Sequence, residues 1–205
     1  RVEYKALFDA FVFALENLKH RELSLELWLE HLDSLLLIHT AMIPAARAGK
    51  VVPDVSLYDH SRGVASLAAA LYVYHRARGD LTVEAVCDDR PNKFLLISGD
   101  FYGIQDFIFS DGGEEGKNRA KILRGRSFAV SLYCELAADM LCRAMGLPAT
   151  SCILNAAGKF TLIAPNSDQV REAVKEVEAR INRWLLRIAF GQSAMGITYV
   201  EAAPA

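Results

Sequence analysis

Two short, widely separated stretches constrain the fold of this chain more than anything else in it: Ser98-Gly99-Asp100-Phe101-Tyr102-Gly103-Ile104-Gln105-Asp106-Phe107-Ile108-Phe109 and Asn155-Ala156-Ala157-Gly158-Lys159-Phe160. Each joins strand-forming residues to small turn formers, so each reads as a strand with a tight turn. Between them, Ala120 to Met145 is amphipathic, is opened by the basic run Lys121-Ile122-Leu123-Arg124-Gly125-Arg126-Ser127-Phe128, and is stopped by Gly146 and Pro148. That is a long helix.

The remaining elements of this half follow from the same signals. Lys93 to Ser98 is an apolar run suited to a central strand, and Phe107, Ile108 and Phe109 are assigned to the same strand unit. Thr150 to Leu154 and Phe160 to Ala164 form a hairpin across Asn155-Ala156-Ala157-Gly158. Pro165-Asn166-Ser167-Asp168 opens a helix through Trp184 to Ile188 with Ser167 or Asp168 as N-cap. Ile197 to Val200 closes the sheet. The order strand, helix, strand, strand, helix, strand is that of a ferredoxin-like βαββαβ palm. Trp184, Leu185, Leu186 and Phe107 to Phe109 are expected in its core.

The first half is helical. Residues 2–20 and 23–47 carry apolar positions at helical spacing, among them Leu25, Trp28, Leu29, Leu32, Leu35 and Leu36, with Pro44 compatible with a kink or an end. After the breaker Gly49-Lys50-Val51-Val52-Pro53, a third helix runs from near Ser56 to about His75. Its Ala65, Ala68, Ala69 and Ala70 permit close packing and place His60 deep against the bundle. The expected organisation is α+β: a helical domain over 1–80, a linker over 81–92 and a palm over 93–205.

Composition excludes more than it assigns. A formal net charge of −2 over 205 residues gives no chain-wide basic field, so contact with nucleic acid must be local or shared with partner chains. Cys87, Cys134, Cys142 and Cys152 form no CxxC pair, which argues against a zinc site or a disulfide framework. No apolar run approaches the roughly 18 residues that span a bilayer, and no signal peptide is evident, so a cytoplasmic protein is expected. Arg1 in place of an initiator Met and the ending Glu201-Ala202-Ala203-Pro204-Ala205 directly after a strand suggest a fragment or a split subunit.

The residues resemble the large subunit of type III CRISPR-Cas effector complexes, closer to the Csm type than to the Cmr type. Pro53-Asp54-Val55-Ser56-Leu57-Tyr58-Asp59-His60 matches the family's segment before its first palm. Gly99-Asp100-Phe101-Tyr102-Gly103-Ile104-Gln105-Asp106-Phe107-Ile108 matches the opening of that palm, and Leu123 to Phe128 continues it. Asn155-Ala156-Ala157-Gly158-Lys159-Phe160 stands at the family's small-Gly-Gly-(Lys/His)-Phe turn, with Ala where Gly is common.

The resemblance implies an intact protein with a permuted HD nuclease domain and two palms. That protein would make cyclic oligoadenylate from ATP when target RNA binds, and would cut single-stranded DNA. It implies guide RNA, target RNA and other effector subunits as partners, with no membrane, and a divalent metal (Mg, Mn or a transition metal) as cofactor. It implies His60 as a single HD-site metal ligand; the bland alternative is a hydrogen-bonded core histidine. The adjacent His-Asp pair is absent, and the family's Gly-Gly-Asp-Asp belongs to its second palm. No catalytic set is complete in this chain.

Asp100 is suited to be a strand-end acid, but two-metal phosphoryl transfer needs further carboxylates where Asn155, Ala156 and Ala157 stand. The expected nucleotide-binding residues are Asp100, Gly103, Gln105, Asn155, Ala156, Ala157, Gly158 and Lys159, as half of a shared ATP site. An ordinary tight hairpin also needs small residues with no ligand at all. Lys121, Arg124 and Arg126, with Lys117 and Arg119, oppose the helix dipole and suit phosphate or RNA; a solvated face or salt bridges to Glu114 and Glu115 serve equally. Asp111 to Gly116 reads as a mobile acidic loop. Two other classes remain: a noncatalytic nucleotide- or RNA-binding module that docks partner subunits, and a free-standing nucleotidyl cyclase, against which the empty hairpin argues.

Overall fold

The computed structural model describes residues 2–46, 52, 54–110 and 118–204. The basic residue Lys117, the loop Asp111 to Gly116 with its Glu114 and Glu115, and most of the breaker before Asp54 lie outside them. The chain divides into two compact units, Arg1–Ala65 and Ser66–Ala205.

The first unit holds α1 (Val2–Glu16), α2 (Leu25–Thr40) and the opening of α3 (Leu57–Arg78). Both early helices are shorter than the apolar rhythm predicts. His20 adopts a left-handed φ of 77°, and its carbonyl accepts from Ser24 N at 2.7 Å, which turns the chain before α2. Ser24 then caps α2 by accepting from Leu27 N at 3.3 Å. Past Thr40 the chain pairs with the approach to α3, Ala45 N donating to Val55 O and Leu57 N to Ile43 O. Ser56 starts α3 as a reciprocal cap: its hydroxyl accepts from Asp59 N at 3.0 Å and donates to the Asp59 carboxylate at 2.7 Å. At the second position of α3, the buried Tyr58 donates to Asp33 at 3.1 Å and accepts from Arg62 at 2.9 Å. Burial pushes the Tyr58 phenol above its usual range.

The second unit contains the rest of α3, α4 (Val83–Val86), β1 (Phe94–Tyr102), α5 (Ile104–Phe109), α6 (Arg119–Met145), β2 (Cys152–Ala156), β3 (Lys159–Pro165), α7 (Asp168–Ile188) and β4 (Ala194–Ala202). The strands form one antiparallel sheet in the order β2-β3-β1-β4. Setting aside the short α5, this is the ferredoxin-like βαββαβ arrangement, and the fold class is α+β as expected.

α6 and α7 cover one face of that sheet. Val130, Cys134, Ala137, Ala138, Leu141, Cys142 and Met145 of α6 meet Leu95, Ile97 and Phe101 of β1 and Phe160, Leu162 and Ala164 of β3. Val170, Ala173, Val174, Val177, Ile181 and Leu185 form the buried stripe of α7, at the three-and-four spacing of an amphipathic helix. Ser167 is the cap of α7, accepting from Val170 N at 3.3 Å. Gly146 ends α6 in a left-handed conformation, with Leu147 N donating to Cys142 O at 2.9 Å.

Phe107, Ile108 and Phe109 are helical, not part of the strand. Gly103 takes a φ of 77°, Phe107 N donates to Gly103 O at 2.9 Å, and the chain turns into α5. An apolar run this short satisfies either periodicity, and the glycine conformation decides between them. Phe109 and Leu186 are exposed and Trp184 partly so, while Leu185 and Phe107 join the core. Trp184 packs edge-on against Tyr133 with ring centroids 4.8 Å apart.

The free edge of β4 is closed by α7. Asn182 accepts from Met195 N at 2.7 Å and donates to Met195 O at 2.8 Å, and Glu178 accepts from Ile197 N at 3.1 Å. Part of the opposite face of the sheet is covered by Ala70 and Leu71 against Phe94 and Ile163. The remainder of that face is open, with Val200 and Leu96 at its margin and the rows Thr198–Ser98–Thr161 and Gly196–Asp100–Lys159 beyond them.

Candidate nucleotide-binding site

The site is built where the end of β1 meets the β2–β3 hairpin. Register places Asp100 opposite Lys159 on one side and Gly196 on the other. Asp100 Oδ2 and Lys159 Nζ stand 3.2 Å apart, with the Lys159 side chain largely solvent-facing and that of Asp100 one-third exposed. In so open a position the pair contributes at most about 1 kcal/mol to stability. Its chemical value is an ammonium held at a known place on the open face.

The hairpin turn is Ala157-Gly158, with φ of 53° and 87°. Two left-handed residues give the turn whose twist matches paired strands. Phe101 N donates to Gly158 O at 2.9 Å, so the turn is drawn onto the end of β1. A Cβ on Gly158 would come within 2.8 Å of Ile104 Cδ1 and 3.3 Å of Val130 Cγ1. The smallness of Gly158 thus serves internal packing. Asn155, Ala156, Ala157 and Lys159 are exposed and face solvent around it.

Gly103 leads from β1 into α5, and a side chain there would collide with the Gln192 carbonyl. Gln105 is exposed in the first turn of α5. The end of β1 and the start of α5 are thus brought against the hairpin, with Gly158 beside Ile104, while Gln105 lies exposed one residue further on.

The basic residues of α6 do not act as one surface. Arg126 donates from Nη1 to Ile108 O at 3.2 Å and Ser110 O at 2.6 Å, supplying donors to carbonyls at the C-terminal end of α5. Its expected role on phosphate gives way to this capping. Lys121 and Arg124 are exposed; Arg124 Nε donates to Ala120 O of its own helix at 3.2 Å.

His60 is exposed, against the expectation of a buried residue. It follows the buried Tyr58 by two positions, which is more than half a helical turn and puts it on the other side of α3. Among the described residues no group of three or more His, Cys, Asp or Glu could hold a metal ion. The other histidines have local explanations: His20 and His31 face each other with centroids 5.5 Å apart, His39 lies edge-on to Phe11, and the buried His75 bonds Asp80 O at 2.9 Å.

Electrostatics reach into the core beneath the site. Burial, aided by the Asp100 charge, pushes the Cys134 thiol up to about 11. At the opposite end of the sheet Glu201 is held below the usual carboxylate range by bonds from Asn92 and Arg171. Sequence reasoning passed over Tyr102, which is exposed on the open face with the edge of its ring against Gly196. Strand alternation carries the signal, since Tyr102 shares a face with Asp100.

A family model described as Csm1 subunit domain B matches residues 93–204. The chain is 34% identical over 188 residues to the CRISPR system single-strand-specific deoxyribonuclease Cas10/Csm1 (subtype III-A) of Thermococcus onnurineus strain NA1, a match covering 86% of this chain and 23% of the relative. A crystal structure of a Csm1-Csm4 cassette in complex with one ATP superposes with a TM-score of 0.74 at 25% identity, covering 96% of this chain and 25% of that one. A Csm1-Csm4 cassette in complex with cA4 superposes with a TM-score of 0.71 at 25% identity, covering 85% and 23%. The chain spans about a quarter of the length of these relatives. Among the described residues no helix is long and apolar enough to cross a membrane.

Proposed function

The chain belongs to the Csm1 family of type III CRISPR large subunits, and from that premise we propose that residues 93–205 are the noncatalytic palm of an RNA-activated cyclic oligoadenylate synthase and single-stranded DNA nuclease. The preceding helices are, in this reading, part of its HD domain. The observation that carries it is the Asp100–Lys159 pair beside a hairpin tip of Asn155, Ala156 and Ala157 that bears no carboxylate. Such a site can hold a nucleotide and cannot by itself assemble two-metal chemistry.

The residues suit ATP as substrate. Lys159 supplies a cation for phosphate, and Asp100 orients it through their ion pair. Ala156, the ladder partner of Lys159, leaves room on the open face for the backbone to approach, while the exposed Asn155 amide, paired with Phe160, offers hydrogen bonds from the other side of the hairpin. Lys121 and Arg124 add positive charge for phosphate or RNA. A divalent metal does not fit the described residues: His60 offers one imidazole, and any further ligands must come from elsewhere in the intact protein. No step of the reaction is routed through a metal here.

Partners follow from the family: a Csm4-type subunit, guide and target RNA, and single-stranded DNA, in the cytoplasm. The test is Lys159→Ala in the intact large subunit within its assembled complex. Loss of target-RNA-dependent cyclic oligoadenylate synthesis with DNA cleavage retained supports the reading. Undiminished synthesis rejects it. ATP binding by a subunit that makes no oligoadenylate in any form would favour a pure binding module.

A further inference from the structure

The open face of the sheet carries an aromatic residue that the proposed ATP site leaves without a role. Tyr102 is 57% exposed at the end of β1. Its partner in the ladder is Ala194, yet its ring reaches diagonally to Gly196, where an added Cβ would clash with Cε2 and stand 3.2 Å from both Cζ and the hydroxyl. The ring edge therefore occupies space beside β4 that only glycine leaves free. The contact is made by the Cε2 edge of the ring, and the residue as a whole remains more than half exposed.

Gly196 is the ladder partner of Asp100, which in turn pairs with Lys159. Crossing the sheet from β4 through β1 to β3, the open face thus presents an aromatic plane, a carboxylate and an ammonium in one row. Two interstrand steps make that row about 10 Å wide, the scale of a nucleotide laid from base to phosphate. An exposed ring held at its edge offers stacking to any nucleobase, with a cation at the far end of the row for the triphosphate.

We propose that Tyr102, held at its edge by Gly196, is the aromatic residue on which the base of the bound nucleotide stacks, a purine if the ligand is ATP. The proposal rests on the ATP reading above and adds the residue that holds the base. The phenol hydroxyl plays no part in stacking, and the ring acts on the base alone.

The test is calorimetric titration of the intact large subunit with ATP and, separately, with tripolyphosphate as a base-free probe. Tyr102→Ala is expected to weaken ATP binding about tenfold to a hundredfold, leaving tripolyphosphate affinity unchanged. Tyr102→Phe keeps ATP affinity within about twofold, as stacking requires only the ring. Gly196→Ala, which displaces the ring without removing it, weakens ATP in the same direction. If the unmodified protein binds ATP and Tyr102→Ala binds it equally well, the platform is wrong and the ATP reading survives. If Tyr102→Ala instead weakens single-stranded RNA with ATP unaffected, the proposal is likewise overturned. If the unmodified protein binds no ATP, both fall.

Discussion

The ring of Phe160 on β3 lies across Gly99 on β1, occupying the space in which any Cβ at position 99 would stand. The contact locks together the two motifs that flank α6 in sequence. It also sets the next pair in register, Asp100 opposite Lys159, at the end of the open face. The glycine of the first motif is thus explained by the phenylalanine of the second.

Gly99→Ala is therefore expected to destabilise the protein by about 1–3 kcal/mol through overpacking. Phe160→Leu in the same background should recover part of the loss. Denaturant unfolding of the two single variants and the double variant checks the coupling, and strictly additive costs would show that the two positions are independent.

Lys159→Ala should cost little stability, under about 1 kcal/mol, because the ion pair with Asp100 is well exposed. ATP affinity should fall by roughly tenfold or more, the scale of a charged hydrogen bond lost to a phosphate. A thermal unfolding curve beside an ATP titration separates the two effects.

Asn182→Leu should destabilise by about 1–3 kcal/mol, because Met195 N–H and C=O each lose the partner that Asn182 supplies on the free edge of the sheet. With the edge opened, the variant should also self-associate at concentrations where the parent does not. Light scattering after size exclusion, together with denaturant unfolding, reads both.

Cys134 gives a pH dependence with a defined sign. Folding raises its thiol from the ordinary 9.0 to about 11, so the unfolded chain ionises first as pH rises. The contribution is fully present below pH 9 and is lost progressively between about 9 and 11. Cys134→Ala should flatten that part of the stability profile. In the native protein at pH 8, Ellman's reagent should modify the exposed Cys87 and leave the buried Cys134 intact.

Much of the fold is legible in local chemistry. Gly146 and Pro148 end α6, Ser167 caps α7, and alternation with turn residues marks the strands, so the βαββαβ order can be read directly along the chain. Dihedral preference, hydrophobic period and capping act over a few residues, and the sequence displays them without reference to anything distant. What lay beyond that range was decided by packing. Gly103 turned Phe107 to Phe109 from strand into helix; the open carbonyls of α5 drew Arg126 away from the surface it was expected to serve; and the phase of α3 exposed His60. The candidate site shows the same division. Its small residues and Asp100 stand out in the sequence, but the pairing with Lys159 and the contact of Tyr102 with Gly196 exist only through sheet register, which brings positions far apart in the chain to within contact and cannot be computed from neighbours alone.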